Sequence, residues 1–337
     1  MQKLTQELVE QFIELEDDDF YIDALRAKHS IDPSSGNFHM AIKRMVEQRK
    51  IKRVGRGLYR KVRVINTVKW WDVDITEVLD FRFPVGHKYD DTSFGFDDLI
   101  GVHGGDLITI AGVSNAGKSA ICKNILAENI DLFPRPVLMG NEYTNANGTP
   151  SLKFARSMNQ IDWVEWMNGT GSKFDLIPVR SDWEDYIRAD TLNIIDWINL
   201  TDNFFQVGKV LEDIKTRVGN GVVVAVVQKD EDKTLGRGAG FTRDLADTYL
   251  SIDPMGSKSR LTVGKVKDPK GKVMGRSWAF SINDYGAVLS DIYEVVKCGK
   301  CRGKGTVWRK GSGDIKCDAC QGMGYKSKYM SDLEEYN

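Results

Sequence analysis

The chain of 337 residues has no apolar run approaching the length of a membrane span, which excludes a membrane-spanning helix. Its N-terminus, Met1-Gln-Lys-Leu-Thr-Gln-Glu, is polar and carries no secretory leader, so the expected location is cytoplasmic. Cysteine is scarce: one residue, Cys122, precedes position 298, which excludes a disulfide scaffold over most of the chain. Cys122 itself reads as a small buried hydrophobe. Net charge is also nearly missing, at -1, but the balance is local. Residues 1–40 hold nine acids and three bases, and residues 41–63 hold ten bases and one acid, Glu47. A neutral total therefore does not exclude nucleic acid, because the local block can supply phosphate-contacting charge. What is present is ample apolar content, 41% of residues, over a length that suggests two or three domains.

The octapeptide Gly112-Val-Ser-Asn-Ala-Gly-Lys-Ser119 matches the G-x-x-x-x-G-K-[ST] phosphate loop. Asp106–Ala111 before it is apolar and β-branched and predicts a buried strand. Ser119–Glu128 after it has apolar residues three and four apart and predicts a helix. Inward-pointing backbone N–H groups and the helix N-terminus then favour an anion. The residues expected around the phosphates are Gly112, Ser114, Asn115, Ala116, Gly117, Lys118, Ser119 and Ala120. Lys118 would reach the β- and γ-phosphates, and Ser119 would hold Mg²⁺.

Strands are predicted at Pro136–Gly140, Asp190–Asp196 and Gly221–Gln228, with a helix over Phe205–Val218. The alternation implies an α/β core over 96–292, a largely parallel sheet flanked by helices. Ligands bind beyond the carboxyl ends of such strands, so Glu142, Asp196 and Gln228 should meet in one crevice.

Residues 1–63 read as a winged helix, a small α+β module. Leu4, Leu8, Phe12 and Ile13 mark a first helix, Phe20–Lys28 a second, and Phe38 to Val46 a third. Two short strands around a Gly-containing turn follow over Ile51–Val62. Lys43, Arg44, Arg49, Lys50, Lys52, Arg53, Arg56, Arg60 and Lys61 lie where a helix-turn-helix protein meets DNA, or where a protein-contacting module keeps solvated charge. Residues 64–95, with Trp70-Trp71 and Phe81-Arg-Phe-Pro84, are too apolar for a free linker; they pack on the core or dock on a neighbouring subunit.

Within 293–328, Cys298-Gly-Lys-Cys301 and Cys317-Asp-Ala-Cys320 are fifteen residues apart, a spacing expected of a structural Zn²⁺ site, with a disulfide pair as the alternative. The stretch 297–328 holds nine bases and two acids and suits nucleic acid or a protein partner. Residues 329–337 form an acidic tail.

The core resembles the RecA-type ATPases, nearest to the DnaB/RadA/KaiC branch. The likeness is carried by Phe94-Gly-Phe-Asp-Asp-Leu-Ile-Gly101 with Gly104–Gly112, and by Asn193-Ile-Ile-Asp196 with Val222–Gln228; it spans roughly residues 94–285. The C-x-x-C-x-G-x-G repeats resemble half of the cysteine-rich region of DnaJ-type chaperones. The resemblance implies that Glu142 activates the attacking water, Asp196 holds Mg²⁺ and Gln228 senses the γ-phosphate. It implies that Lys233, Arg237 and Arg243, in the loop after Gln228, face DNA, although a solvated loop is an equal reading of those residues. The hairpin Leu261–Ile282 would bring Lys265 and Lys267 to a neighbouring subunit's ATP, where lysine replaces the usual Lys-x-Arg pair and lacks arginine's bidentate fork. The helical collar of replicative helicases is missing. Two functions follow as expectations: a DNA-dependent ATPase motor (helicase, loader or filament-like) working as a hexameric ring or helical filament on single- or double-stranded DNA, alongside replication or mobile-element proteins; or a nucleotide-switched DNA-binding adaptor. ATP, Mg²⁺ and Zn²⁺ are the expected cofactors.

Overall fold

The computed structural model describes residues 4–62, 79–145, 147–169, 171–199, 206–231, 233–310 and 312–329. Trp70, Trp71 and nearly all of the acidic tail lie outside them. The chain divides into two compact units, Met1–Ile75 and Thr76–Asn337. No described helix is long and apolar enough to cross a membrane.

The first unit runs α1 (Gln6–Glu14), β1 (Asp19–Tyr21), α2 (Ile22–Lys28), α3 (Gly36–Glu47), β2 (Ile51–Arg53) and β3 (Leu58–Lys61). Thr5 caps α1 by accepting from the Leu8 N–H, and Ser35 caps α3 by accepting from Phe38 N–H. Phe38, Ala41, Ile42 and Met45 turn one face of α3 into a core with Val9, Ile13 and Leu25. The sheet order is β1-β3-β2, all antiparallel. The sequence reading of one helix over Phe20–Lys28 needs correction at its start. Phe20 and Tyr21 belong to β1, where they pair with Tyr59 and Leu58. That partner lies some forty positions away, beyond the reach of any local pattern.

The second unit is built on a ten-stranded sheet. Its strands are β4 (Leu107–Gly112), β5 (Val137–Met139), β6 (Asp175–Ile177), β7 (Leu192–Ile198), β8 (Val222–Gln228), β9 (Thr248–Met255), β10 (Lys258–Val266), β11 (Ser277–Asn283), β12 (Val288–Lys297) and β15 (Tyr325–Ser327). The order is β15-β12-β11-β10-β9-β4-β8-β7-β5-β6. The six strands from β9 to β6 are parallel, and the remaining four join antiparallel at the β9 side. Helices α4 (Lys118–Asn129), α5 (Leu152–Asn159), α6 (Val207–Arg217) and α7 (Gly240–Asp244) lie between the parallel strands in the chain.

Alternation divides the core between the two faces of the sheet. Val222, Val224 and Val226 of β8 join α4's Ile121, Ile125 and Leu126 on one side. Val223, Ala225 and Val227 join α6's Leu211 and Ile214 on the other. A strand buried on both faces reads as a continuous apolar run, as β8 does. The fold class is the α/β arrangement expected, a largely parallel sheet flanked by helices.

Phe81 and Phe83 of the connector are buried in the core of this unit, edge-on in a chain of rings running Phe81–Phe83–Phe96–Trp278 with centroids 4.9–5.3 Å apart. The described end of the connector is therefore part of the core. The hairpin expected over Leu261–Ile282 pairs over Ser259–Thr262 and Ser277–Phe280; Lys265 pairs with β9 instead, and Lys267 lies in the broad loop beyond.

β13 (Thr306–Arg309) and β14 (Gly313–Lys316) form a small hairpin between β12 and β15. The four distal cysteines surround its base.

Candidate nucleotide-binding site and cysteine centre

The strand–loop–helix read from the sequence is β4, the loop 113–117 and α4. Gly117 ends the loop at φ +101°, and a Cβ on it would lie 2.3 Å from Ile282 Cδ1. The left-handed backbone there favours glycine, while the Ile282 methyl could give way. The loop bends back over the carboxyl end of β4 and lines a cleft of about 540 Å³.

Into that cleft converge Ser114, Asn115, Gly117, Lys118, Ser119 and Ala120 from the loop and helix. Glu142 enters from beyond β5, Asp196 from β7 and Gln228 from the end of β8. Of the expected phosphate-loop residues, Gly112 and Ala116 stand behind the wall. The Gly112 carbonyl accepts from the Lys229 N–H at 3.0 Å, and Ala116 is buried.

Asp196 is 4% exposed. Its Oδ2 accepts from the Tyr143 hydroxyl, while Oδ1 is buried with no hydrogen-bond partner within bonding distance. Burial raises the Asp196 pKa above the ordinary carboxylate range, with Tyr143, the nearby Ser119 hydroxyl and Lys118 pulling the other way. Burial likewise lowers the Lys118 ammonium's pKa, opposed by Asp196 and Glu142. Lys118 Nζ donates to the Val113 carbonyl at 2.6 Å. An orphaned carboxylate oxygen beside Ser119 suits a hard divalent cation, so the donor set fits Mg²⁺ held by Ser119 and Asp196.

Tyr143, Lys123 and Lys153 were not singled out from the sequence. Lys123 lies one helical turn beyond Ser119 and lines the cleft. Its Nζ donates to Ser157 Oγ and to the Gly286 carbonyl at 2.8 Å, and burial lowers its pKa to about 8. Lys153 enters from α5. Tyr143 follows Glu142 directly, but nothing local marks it as the partner of an acid 53 residues away.

Lys265 and Lys267 do not line this cleft. Lys265 pairs with Tyr249 near the start of β9, and Lys267 N–H donates to the Asp247 carbonyl. Both are thus at the edge of the sheet where the parallel strands begin. The cleft lies at the other edge, a strand length of about 17 Å away. Lys267 Nζ donates to Asp247 Oδ1 at 2.6 Å, and Lys265 Nζ to the carbonyls of Arg243 and Asp244. Burial acts against the charge on Asp247, but hydrogen bonds from Lys215, Lys267 and the Leu107 N–H outweigh it and lower its pKa.

The other candidate cations are exposed. In the first unit Lys43, Arg44, Arg49, Lys52, Arg53, Arg56 and Arg60 lie along α3, β2 and β3 and the turns beside them. Arg60 is held by Asp19 through two hydrogen bonds of 2.5 and 2.6 Å, and Lys43 lies 3.9 Å from Glu47. In the loop after β8, Arg237 pairs with Asp230 at 3.1 Å and Arg243 with Asp244 at 3.4 Å. Lys233 lines a separate cavity of about 570 Å³ within that loop.

Cys298, Cys301, Cys317 and Cys320 are all buried and carry no disulfide, and their sulfurs lie within 4.8 Å of one another. Cys298 and Cys317 sulfurs are 4.0 Å apart, Cys301 and Cys320 sulfurs 3.6 Å. A tetrahedron with Zn–S bonds of about 2.3 Å has edges of about 3.8 Å, so the spacing fits zinc. Backbone N–H groups reach two of the sulfurs: Gly305 donates to Cys301 Sγ at 3.3 Å and Gly324 to Cys320 Sγ at 3.2 Å. The two halves interlock. Cys298 N–H donates to the Gly324 carbonyl and Cys317 N–H to the Gly305 carbonyl, both at 2.8 Å. A Cβ on Gly305 would lie 2.3 Å from Gly322 O, and one on Gly324 would lie 2.4 Å from Gly303 O, so the close approach requires both glycines.

No family model matches the chain, and no curated protein is similar to it. Among solved structures, a KaiC-like protein from Pyrococcus horikoshii OT3 is similar at 15% identity and a TM-score of 0.45, covering 64% of this chain and 99% of that one.

Proposed function

We propose that the chain is an ATPase of the RecA type that engages DNA and hydrolyses ATP between subunits of an oligomer. The observation that carries this reading is the convergence, from four separated segments, of Lys118, Ser119, Glu142, Asp196 and Gln228 on one cleft, where Asp196 keeps one buried oxygen without a partner among the described residues. Lys118 would neutralise the β- and γ-phosphates. Mg²⁺, held by Ser119 and Asp196, would supply charge stabilisation for the transferred phosphoryl group. Glu142 is exposed in the cleft mouth, where it would orient the attacking water. Gln228 would read the γ-phosphate and pass the signal to the loop after β8.

Lys265 and Lys267 stand a strand length from their own cleft, so a catalytic role for them is a role on a neighbour's nucleotide. The first unit's order of helices and strands, with exposed cations on α3 and the β2–β3 hairpin, supports a winged helix that places α3 on DNA. Zinc in the cysteine centre would be structural, because four thiolates leave no open position.

The test is steady-state ATP hydrolysis without DNA and with single-stranded or duplex DNA, at several protein concentrations, beside Lys118→Ala and Lys267→Ala. Expected are stimulation by DNA, a rate per subunit that rises with concentration, and loss of turnover in both variants. ATP binding without turnover on any DNA would overturn the motor and leave a nucleotide-switched adaptor.

A further inference from the structure

The hairpin β13–β14 projects one aromatic ring into solvent. Pairing sets Trp308 opposite Asp314 and Thr306 opposite Lys316. Alternate residues of a strand face opposite sides. Val307 packs against the cysteine cluster, so Thr306, Trp308, Asp314 and Lys316 look outward. Trp308 is 71% exposed. An indole of this size in water is costly unless something covers it, and its edge offers one N–H donor and no acceptor.

Charge indicates what covers it. Arg302, Lys304, Arg309, Lys310 and Lys316 are exposed, and none makes an ion pair among the described residues. One of the two nearby acids, Asp318, is taken up by Lys300 at 2.6 Å. On this small module five unpaired cations outnumber one unpaired acid, Asp314 opposite Trp308, and together with the bare ring they favour an anionic polymer that also carries flat apolar faces. Single-stranded nucleic acid has both: phosphates for the cations and unstacked bases for the ring. A duplex keeps its bases stacked on one another and has no face to offer Trp308. An acidic peptide would satisfy the cations alone.

We propose that the β13–β14 hairpin is a contact for single-stranded DNA, in which Trp308 stacks on a base while Lys316 on the same face and Lys310 at the turn hold flanking phosphates. The hairpin observations carry the single strand; the choice of DNA over RNA rests on the function proposed above. The cysteine centre's part is positional, since it holds the inner face of the hairpin through Val307 and leaves the outer face free.

The experiment uses the full-length, zinc-loaded chain and a fluorescein-labelled oligothymidylate, followed by anisotropy over a salt series. Trp308→Ala should weaken binding about tenfold at unchanged salt slope, and Trp308→Phe should keep most of the affinity. Lys310→Gln with Lys316→Gln should lower the slope by about 0.7 for each phosphate no longer neutralised. Zinc content and thermal midpoint should not change in any of these, because every substituted side chain is exposed. Wild-type affinity in Trp308→Ala would overturn the proposal, as would an equal loss on duplex, or tighter binding of an RNA oligonucleotide of matching sequence. Lys52→Gln with Arg53→Gln, assayed on duplex, separates the two readings. Loss there with no effect at Trp308 removes the hairpin contact and leaves the DNA-engaged ATPase standing; the converse leaves the hairpin contact alone.

Discussion

Tyr143→Phe removes one oxygen from the cleft and isolates what that oxygen does. In the native protein the Tyr143 hydroxyl donates to Oδ2 of a buried Asp196 whose other oxygen has no partner. The phenol's own pKa is pushed well up, first by burial and then by the adjacent carboxylate, so it stays a neutral donor at any working pH. A hydrogen bond to a charged group contributes about 1.5–3 kcal/mol. Its loss should therefore raise the Asp196 pKa further. The direction adds to the existing one, since burial already raises that pKa and the tyrosine opposes it. Mg²⁺ needs the ionised carboxylate. As pH falls, the variant should therefore lose Mg²⁺-dependent ATP binding at a higher pH than wild type, and match it on the alkaline plateau. Equilibrium binding of a fluorescent ATP analogue over a pH series, with and without Mg²⁺, measures this. The same acid limb in both proteins, or an equal shift without Mg²⁺, would refute the assignment of Asp196 to the metal.

Two further predictions concern stability. The cysteine centre should hold one zinc per chain by elemental analysis, and Cys317→Ser or prolonged chelation should release it and lower the thermal midpoint. Asp175 joins β6 to Arg135 and Arg188, and the Arg135 hydrogen bond leads the effects that lower its pKa from 3.8 to about 2. A depressed carboxylate pKa stabilises the fold above the unfolded value, and that stability is lost as pH falls through the folded one. Asp175→Asn should thus cost on the order of 1 kcal/mol at neutral pH, once solvent screening is allowed for, and denaturant midpoints of the two proteins should converge between pH 3.8 and about 2.

Features written in consecutive residues were legible in the sequence. The phosphate loop declares itself because Gly117, Lys118 and Ser119 sit between a β-branched strand and a helix. β8 declares itself because both of its faces are buried, so six apolar residues in a row carry the signal. The cysteine centre follows from two pairs and their glycines. What depends on distant partners was not legible. β1 has three residues and exists through β3. The Tyr143–Asp196 bond joins segments that share no pattern. That Lys265 and Lys267 stand at the far edge of the sheet follows from the pairing of Lys265 with β9 and the bond of Lys267 to Asp247, a register that no hairpin signal specifies. The connector's apolar character was visible, but that Phe83 meets Phe96, which in turn meets Trp278, is a matter of tertiary packing.

The cysteine centre is inserted between β12 and β15, two strands that are neighbours in the large sheet. A metal held there would therefore act as a clasp on an excursion of the chain, and what it would fasten is the last strand of the sheet. β15 has three residues and three paired positions with β12, too few to hold by themselves once the interlocked halves separate. Stripping the metal should then uncover the outer edge of β12 and leave its N–H and C=O groups free to template another chain. Metal starvation would in that case reach the protein as self-association, at a site remote from the nucleotide and while the cleft itself is still intact.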